Sequence, residues 1–411
     1  MGEQPNTIRE AHAHVLAHGR SMEMVQLAEC ESAAEMLDAI AEVAGERDIV
    51  LAHGARPEAW AEPGWPTLEA LDAAGSEAMV AIWCFDYHAM MVNARTLAKL
   101  GLSDRSPDPA GGQLGRTRSG SLSGVLYESA AGMAWRALEP KDIDEKSLSR
   151  AVEDLAAHGF VEIHDLKAQP GLGAALDRVG GALRLRLYPL VEDLPDALAT
   201  RDSWQSDRVT LAGGKIFVDG TLNSRTAWML HPFADGRPEH PSGMQLMSDK
   251  QIEDAIRLCT GEGLQLAAHA IGDAAARAVL DAAERVRAPR GAVRIEHAEV
   301  IDEADVPRFA ELGVIASVQP CHLLYDIEAL RRACPDRLDR VLPLRELIDS
   351  GMKPSRDILF GSDTPIVRPN PEDSILAATN RGRADMALAD GIAPGQAIGE
   401  AEAWACFDAD A

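Results

Sequence analysis

Positive charge is what this 411-residue sequence is shortest of: 40 Lys plus Arg stand against 65 Asp plus Glu, a formal net charge of −25. Non-specific nucleic-acid binding and docking on anionic lipid both need basic side chains, so neither is expected. Long apolar runs are missing too, none approaching the roughly 18 residues of a membrane span. The opening MGEQPNTIREAHAH lacks the basic-then-apolar pattern of a signal peptide, and the cytoplasm is the expected compartment. Cysteine is scarce. Cys30, Cys84, Cys259, Cys321, Cys334 and Cys406 are scattered with no CxxC pair, which reads as six reduced thiols, not a disulfide framework or a cysteine zinc site. There is no fixed-period repeat, no low-complexity linker and no GxGxxG after an early strand. What is present is an ordinary 46% of hydrophobic residues, enough to fill a large core.

Short apolar runs alternate with Ala-rich amphipathic stretches. The runs are Asp48–His53, Gly159–His164, Leu183–Leu190, Gly214–Val218, Leu264–His269, Val293–His297, Val314–Gln319 and Ile358–Gly361. Each is rich in branched aliphatics and bounded by Gly, Asp or Pro, the pattern of buried strands. Between them, Ala33–Ala44, Ser248–Cys259, Asp273–Val286 and Glu303–Leu312 carry helical stripes. About eight strands alternating with helices predict an α/β fold closed as a (β/α)8 TIM barrel, not an open sheet. Trp60–Thr117, with SDRSPDPAGGQLG at Ser103–Gly115, breaks the alternation and reads as an insertion; long loops in such folds commonly cover active sites.

The twelve histidines carry most of the information. His12 and His14 form an HxH pair, which in a strand places both imidazoles on one face. Lys215 lies in GGKIFV, His269 ends LQLAAH, His297 ends VRIEH, and Asp363 follows ILFGS. Taken singly, each has an ordinary reading: an HxH is often a surface or capping pair, a lone strand histidine a hydrogen-bonded core residue, an Asp before Thr-Pro a turn residue. Lys215 is harder to dismiss, because the chain has seven lysines against 33 arginines and a buried lysine is uncommon unless paired or modified. Six such groups, each at or near a strand, would converge from different strands on one rim of a barrel.

With these segments in view, the sequence resembles the amidohydrolase superfamily, within it the amidohydrolase-3 or YtcJ-like group. The resemblance runs through EAHAHVLAHG (Glu10–Gly19), DYHAMMVNARTLAKLG (Asp86–Gly101), GGKIFVDGTLNSRTA (Gly213–Ala227), HAIGDAAARAVLDA (His269–Ala282), RIEHAEVI (Arg294–Ile301), ASVQPCH (Ala316–His322) and GSDTPIVRPNP (Gly361–Pro371). It implies a distorted barrel over residues 8–400 with one or two divalent ions at its rim, zinc first among them. By motif, His12 and His14 would bind the more buried ion, a CO2-carboxylated Lys215 would bridge two ions, His269 and His297 would hold the second, and Asp363 would contact the first and move protons. Lys215, His269 and Asp363 are thereby the expected catalytic groups. His88, Asn93 and His322 are expected either at the substrate or as loop residues hydrogen-bonded to backbone. Asp219 and Arg225 are expected to orient the site or bind an acidic substrate group, and Glu296 and Asp273 to fix histidine tautomers.

The sequence departs from its relatives at the ends. Eleven residues precede His12, the usual apolar lead-in is replaced by TIREA, and residues 401–411 read as the remnant of a C-terminal extension. The β-sandwich of longer relatives is therefore expected to be largely missing. The expected activity is metal-dependent hydrolysis of a non-peptide C–N bond (amide, N-formyl or cyclic amide) by a metal-activated hydroxide. Heterocycle deamination on the same shell, or a catalytically impaired ligand-binding barrel, are the alternatives. The expected partners are a small-molecule substrate and at most a second copy of the chain as a homodimer, with no nucleic acid and no membrane.

Overall fold

The computed structural model describes residues 5–140 and 142–410. It forms two compact units, one from the chain up to Gly19 and from Ile143 onward, the other from Arg20–Asp142.

The first unit contains β1 (Ile8–Ala13), β2 (Phe160–Asp165), β3 (Arg184–Leu187), β4 in two pieces (Val209–Leu211 and Gly213–Phe217), β5 (Gln265–Ala270), β6 (Val293–His297), β7 (Ile315–Val318) and β8 (Ile358–Phe360). Neighbours pair in parallel and in chain order, from β1 to the first piece of β4 and from its second piece to β8. Two seams complete the cycle. A bridge between Leu190 and Lys215 carries the β3–β4 pairing past Ala212, and one between Ala13 and Thr364 joins the ends of β1 and β8. At the second seam the Asp363 amide donates to the His12 carbonyl at 2.7 Å, and the His14 amide to the Thr364 carbonyl at 2.9 Å. Helices separate successive strands, so the order is that of a (β/α)8 barrel.

Local sequence explains the helices. Asp249–Gly261 begins at a capping box between Ser248 and Gln251 and buries Ile252, Ala255, Ile256 and Cys259, spaced three and four apart. Asp273–Val286 is alanine-rich, combining high helix propensity with side chains short enough to lie close on the sheet. The apolar strand and helix faces merge into one large core that includes Ile163, Leu185, Ile216, Leu266, Ile295 and Phe360. Residues 401–410 join this unit: the Arg9 amide donates to the Phe407 carbonyl at 2.7 Å, and Trp404, Cys406 and Phe407 are buried.

One strand assignment is corrected. The run Asp48–His53 forms a strand, Ile49–Ala55, but in the second unit; its place in the ring is taken by the polar IREAHA of β1. β1 is buried throughout because its polar side chains find internal partners. Arg9 donates to the Ser355 carbonyl at 3.1 Å, and the Glu10 carboxylate accepts from the amides of His12 and Ser362, both at 2.9 Å. Hydropathy does not register a strand satisfied in this way.

The second unit, which contains Trp60–Thr117, is a six-stranded mixed sheet. Val25–Gln26, Ile49–Ala55 and Met79–Cys84 run parallel; Ala89–Val92, Leu122–Glu128 and Gly112–Arg116 continue it antiparallel. Both faces are covered. Val50, Val80, Ile82 and Met91 pack with Met36, Ile40 and Leu71, while Ala81, Trp83, Met90 and Leu126 pack with Ala130, Ala134 and Leu138. Among the described residues no helix is long and apolar enough to cross a membrane.

Candidate metal centre

The first unit brings all six chemistry-bearing residues of the sequence motifs together. His12 lies near the end of β1 and His14 directly after it; Lys215 is in β4, His269 in β5, His297 ends β6 and Asp363 follows β8. Asp363 Oδ1 is 2.9 Å from His14 Nε2 and 3.3 Å from His12 Nε2, and its Oδ2 is 3.9 Å from His297 Nε2. Ring centroids are 4.9 Å apart for His12 and His297, and 4.5 Å for His269 and His297. His297 and Asp363 both adopt left-handed backbone, φ 73° and 61°, at the points where their strands end. Such conformations are sparsely populated by non-glycine residues, and here they belong to two members of the cluster.

The electrostatics are coupled. Burial alone would raise the Asp363 carboxyl, but His12, His14 and His297 hold it well below the usual carboxylate range. Burial lowers the His12 imidazolium to about 4 and the Lys215 ammonium to about 8, the latter opposed by Glu296 and Asp363. Glu296 is held far down against its burial by Arg294, His12 and Lys215, so it is a carboxylate. It accepts from His12 Nδ1 at 2.7 Å, which leaves His12 Nε2 with its lone pair facing Asp363. His269 Nε2 donates to the Gly220 carbonyl at 3.0 Å, fixing that ring in the same manner.

This donor set fits a divalent ion. Ligand atoms of His12, His14 and Asp363 lie within 4.8 Å of one another, and zinc accepts imidazole nitrogen and carboxylate oxygen. Lys215 Nζ and His297 Nδ1 are buried beside them with no hydrogen-bond partner among the described residues, an arrangement that a cation or a carboxylated lysine would relieve.

The other expected residues divide. His322 joins the cluster: its ring is 5.9 Å from that of His297, and its Nε2 donates to the Ser362 carbonyl at 3.1 Å. Asp219 gathers backbone amides beside His269. Its Oδ1 accepts from the Ile271 amide at 3.0 Å, its Oδ2 from Trp228 and Gly272 at 2.9 and 2.8 Å, and it lies 3.6 Å from His269 Nε2. Arg225 is engaged within the protein. Its fork is closed on Asp235 at 2.7 and 2.5 Å, and its remaining nitrogen donates to the Leu222 and Asn223 carbonyls. Asp273 accepts from the Leu230 and Ala274 amides, not from a histidine. In the second unit, His88 Nδ1 donates to Glu128 at 2.7 Å. Asn93 takes the backbone-bonded alternative: it caps the helix Ala94–Lys99, accepts from the Val80 and Thr96 amides and donates to the Ala78 carbonyl, so its amide is engaged in its own unit's core.

Two residues behind the site were missed by sequence reading. Arg294, fully buried, donates to Glu296, to the Ala11 carbonyl and Ser317 Oγ at 2.7 Å, and to His164 Nδ1 at 2.8 Å. His164 Nε2 then donates to Glu162 at 3.1 Å. The available signal was the alternation Arg-Ile-Glu-His in β6, which puts Arg294 and Glu296 on one face of the strand.

The Amidohydrolase family model matches residues 9–402. The Bacillus subtilis (strain 168) protein YtcJ, named as an amidohydrolase, is 27% identical over 90% of this chain and 72% of its own length. An N-substituted formamide deformylase of Arthrobacter pascens is 28% identical over 72% of this chain and 57% of its own. Among solved structures, an uncharacterized metal-dependent hydrolase from Pyrococcus horikoshii OT3 superposes with a TM-score of 0.74 at 26% identity, covering 97% of this chain and 78% of the other.

Proposed function

The chain belongs to the amidohydrolase family, and from that premise we propose that it is a metal-dependent hydrolase cleaving a non-peptide C–N bond of a small molecule, an amide, N-formyl or cyclic amide. The observation that carries the proposal is Asp363, a buried carboxylate within 3.3 Å of two histidine Nε2 atoms that also face a divalent-cation donor set. His12, His14 and Asp363 would hold an ion, zinc suiting the donors best, with Lys215, His269 and His297 placed for a second. A divalent ion there supplies Lewis acidity and makes water acidic enough to attack at neutral pH.

The side chains do the rest. Asp363, ionised at neutral pH, takes the proton of the attacking water and returns it to the departing nitrogen. Glu296 keeps His12 in the Nδ1–H tautomer, so that its other nitrogen always faces the centre. Lys215, brought to about 8 by burial, has a share of neutral amine available to CO2, and carboxylation would exchange a costly buried cation for an anion. The name of the Arthrobacter relative supports N-formyl compounds within this class.

The test is metal analysis of protein purified without chelator, followed by a panel of N-formyl amines, N-acyl amino acids, hydantoins and aminopurines. At least one bound divalent ion and amine release from a formyl or acyl substrate are expected. Near absence of Zn, Mn, Fe and Ni would overturn the metalloenzyme reading, and ammonia release from aminopurines alone would replace it with deamination.

A further inference from the structure

We propose that His322 is a metal ligand: with His297 and Asp363 it forms a second cation position, which shares Asp363 with the position of His12 and His14. The inference rests on the metal-centre reading above and departs from it in one respect: the second ion takes His322 and Asp363 beside His297, in place of Lys215 and His269.

Two triads of the same composition meet at Asp363. Ligand-capable atoms of His297, His322 and Asp363 lie within 4.8 Å of one another, as do those of His12, His14 and Asp363. One tetrahedral ion with zinc–ligand bonds of about 2.0–2.2 Å holds its donors about 3.3–3.6 Å apart, so the widest pair in either triad closes by at most about 1.5 Å. The ring spacings agree, 5.5 Å for His12 and His14 and 5.9 Å for His297 and His322. Asp363 offers a different oxygen to each side, Oδ1 toward His12 and His14, Oδ2 toward His297. A carboxylate divided in this way suits two ions about 3.5–4 Å apart.

The histidines are prepared for it. His322 Nε2 donates to the Ser362 carbonyl, so its Nδ1 keeps the lone pair, the state in which ligand histidines are commonly held by a backbone acceptor. That carbonyl is itself anchored, because the Ser362 amide donates to buried Glu10 at 2.9 Å. His297 presents Nε2 to the shared carboxylate, 3.9 Å from Asp363 Oδ2, and its ring is buried. His322 enters from the turn Pro320–His322 directly after β7, a strand that contributes no other member to either triad.

The experiment counts ions. Wild type, H322N, H322Q and H14N are saturated with zinc, dialysed and analysed for metal per chain by mass spectrometry, with circular dichroism to confirm folding. Two ions in wild type and one in folded H322N and H322Q are expected, with H14N also losing an ion. Two ions retained in either His322 variant would remove His322 from the ligand set. A single ion in wild type would overturn the second position while leaving the proposed hydrolase intact, whereas no ion in any form would overturn both.

Discussion

Replacing Arg294 with methionine is expected to destabilise the protein by about 3–5 kcal/mol, the cost of breaking a buried ion pair from one side. The side chains of Arg294 and Glu296 are 1% and 0% exposed, so neither charge reaches water. At 3.3 Å between an Arg294 terminal nitrogen and Glu296 Oε2, an effective dielectric of about 20 gives an attraction of ~5 kcal/mol. The guanidinium also satisfies the Ala11 carbonyl, Ser317 Oγ and His164 Nδ1. In R294M the carboxylate either stays charged without its partner or takes up a proton, and both routes lose stability at pH 7. Lysine should not rescue, since one ammonium cannot reproduce a planar fork serving four groups. R294M, E296Q and the double variant, unfolded in urea as metal-free protein, form a double-mutant cycle. The double variant should cost at least ~2 kcal/mol less than the sum of the singles. A cost below ~1 kcal/mol for R294M, or additivity within ~0.5 kcal/mol, would refute the assignment of Arg294 as the counter-charge of the site.

His164 should make stability pH-dependent. Burial lowers its imidazolium to about 3, so between that value and 6.5 the unfolded chain binds the extra proton and stability falls as pH drops through the window. H164N should flatten the slope of unfolding free energy against pH there by about one proton, ~1.4 kcal/mol per unit; an unchanged slope would refute it. D363N should lower turnover at least about 100-fold, the usual scale for losing a positioned proton-transfer group, and full activity would take Asp363 out of the mechanism. N93A should cost about 2–3 kcal/mol, through the lost helix cap and the unpaired Val80 amide, and leave KM unchanged; a KM change with no loss of melting temperature would restore Asn93 to substrate binding. Among the six cysteines only Cys30 is partly exposed, so a thiol reagent should titrate one group in the native protein and six after unfolding.

The centre was legible because its members end strands, where a polar residue after an apolar run stands out. His269, His297 and Asp363 all have this signature, and Lys215 stands out as a cation within a run of buried neighbours. β1 was not legible as a ring strand. Its sequence alternates charged and small residues, and its burial depends on partners from β2 and the segment after β8, which no local window contains. Ile49–Ala55 looks locally like a ring strand because a strand buried on both faces has the same composition in either sheet. Asn93 shows the converse: an Asn just before ARTLAK is an N-cap signal, and capping accounts for it without a ligand.

The seam between β1 and β8 gives the site a timetable. Glu10 and Ser362, whose contact fastens it, are 352 positions apart in the chain. At ~5–20 residues per second of synthesis, His12 and His14 emerge about 20–70 seconds before Asp363 exists to complete their cluster. For that interval the HxH pair has neither its carboxylate nor, until β6 is made, Glu296 to set its tautomer. At the proposed centre, tight cation capture would thus be a late event in the biogenesis of each molecule, set by the ribosome's arrival at the last strand.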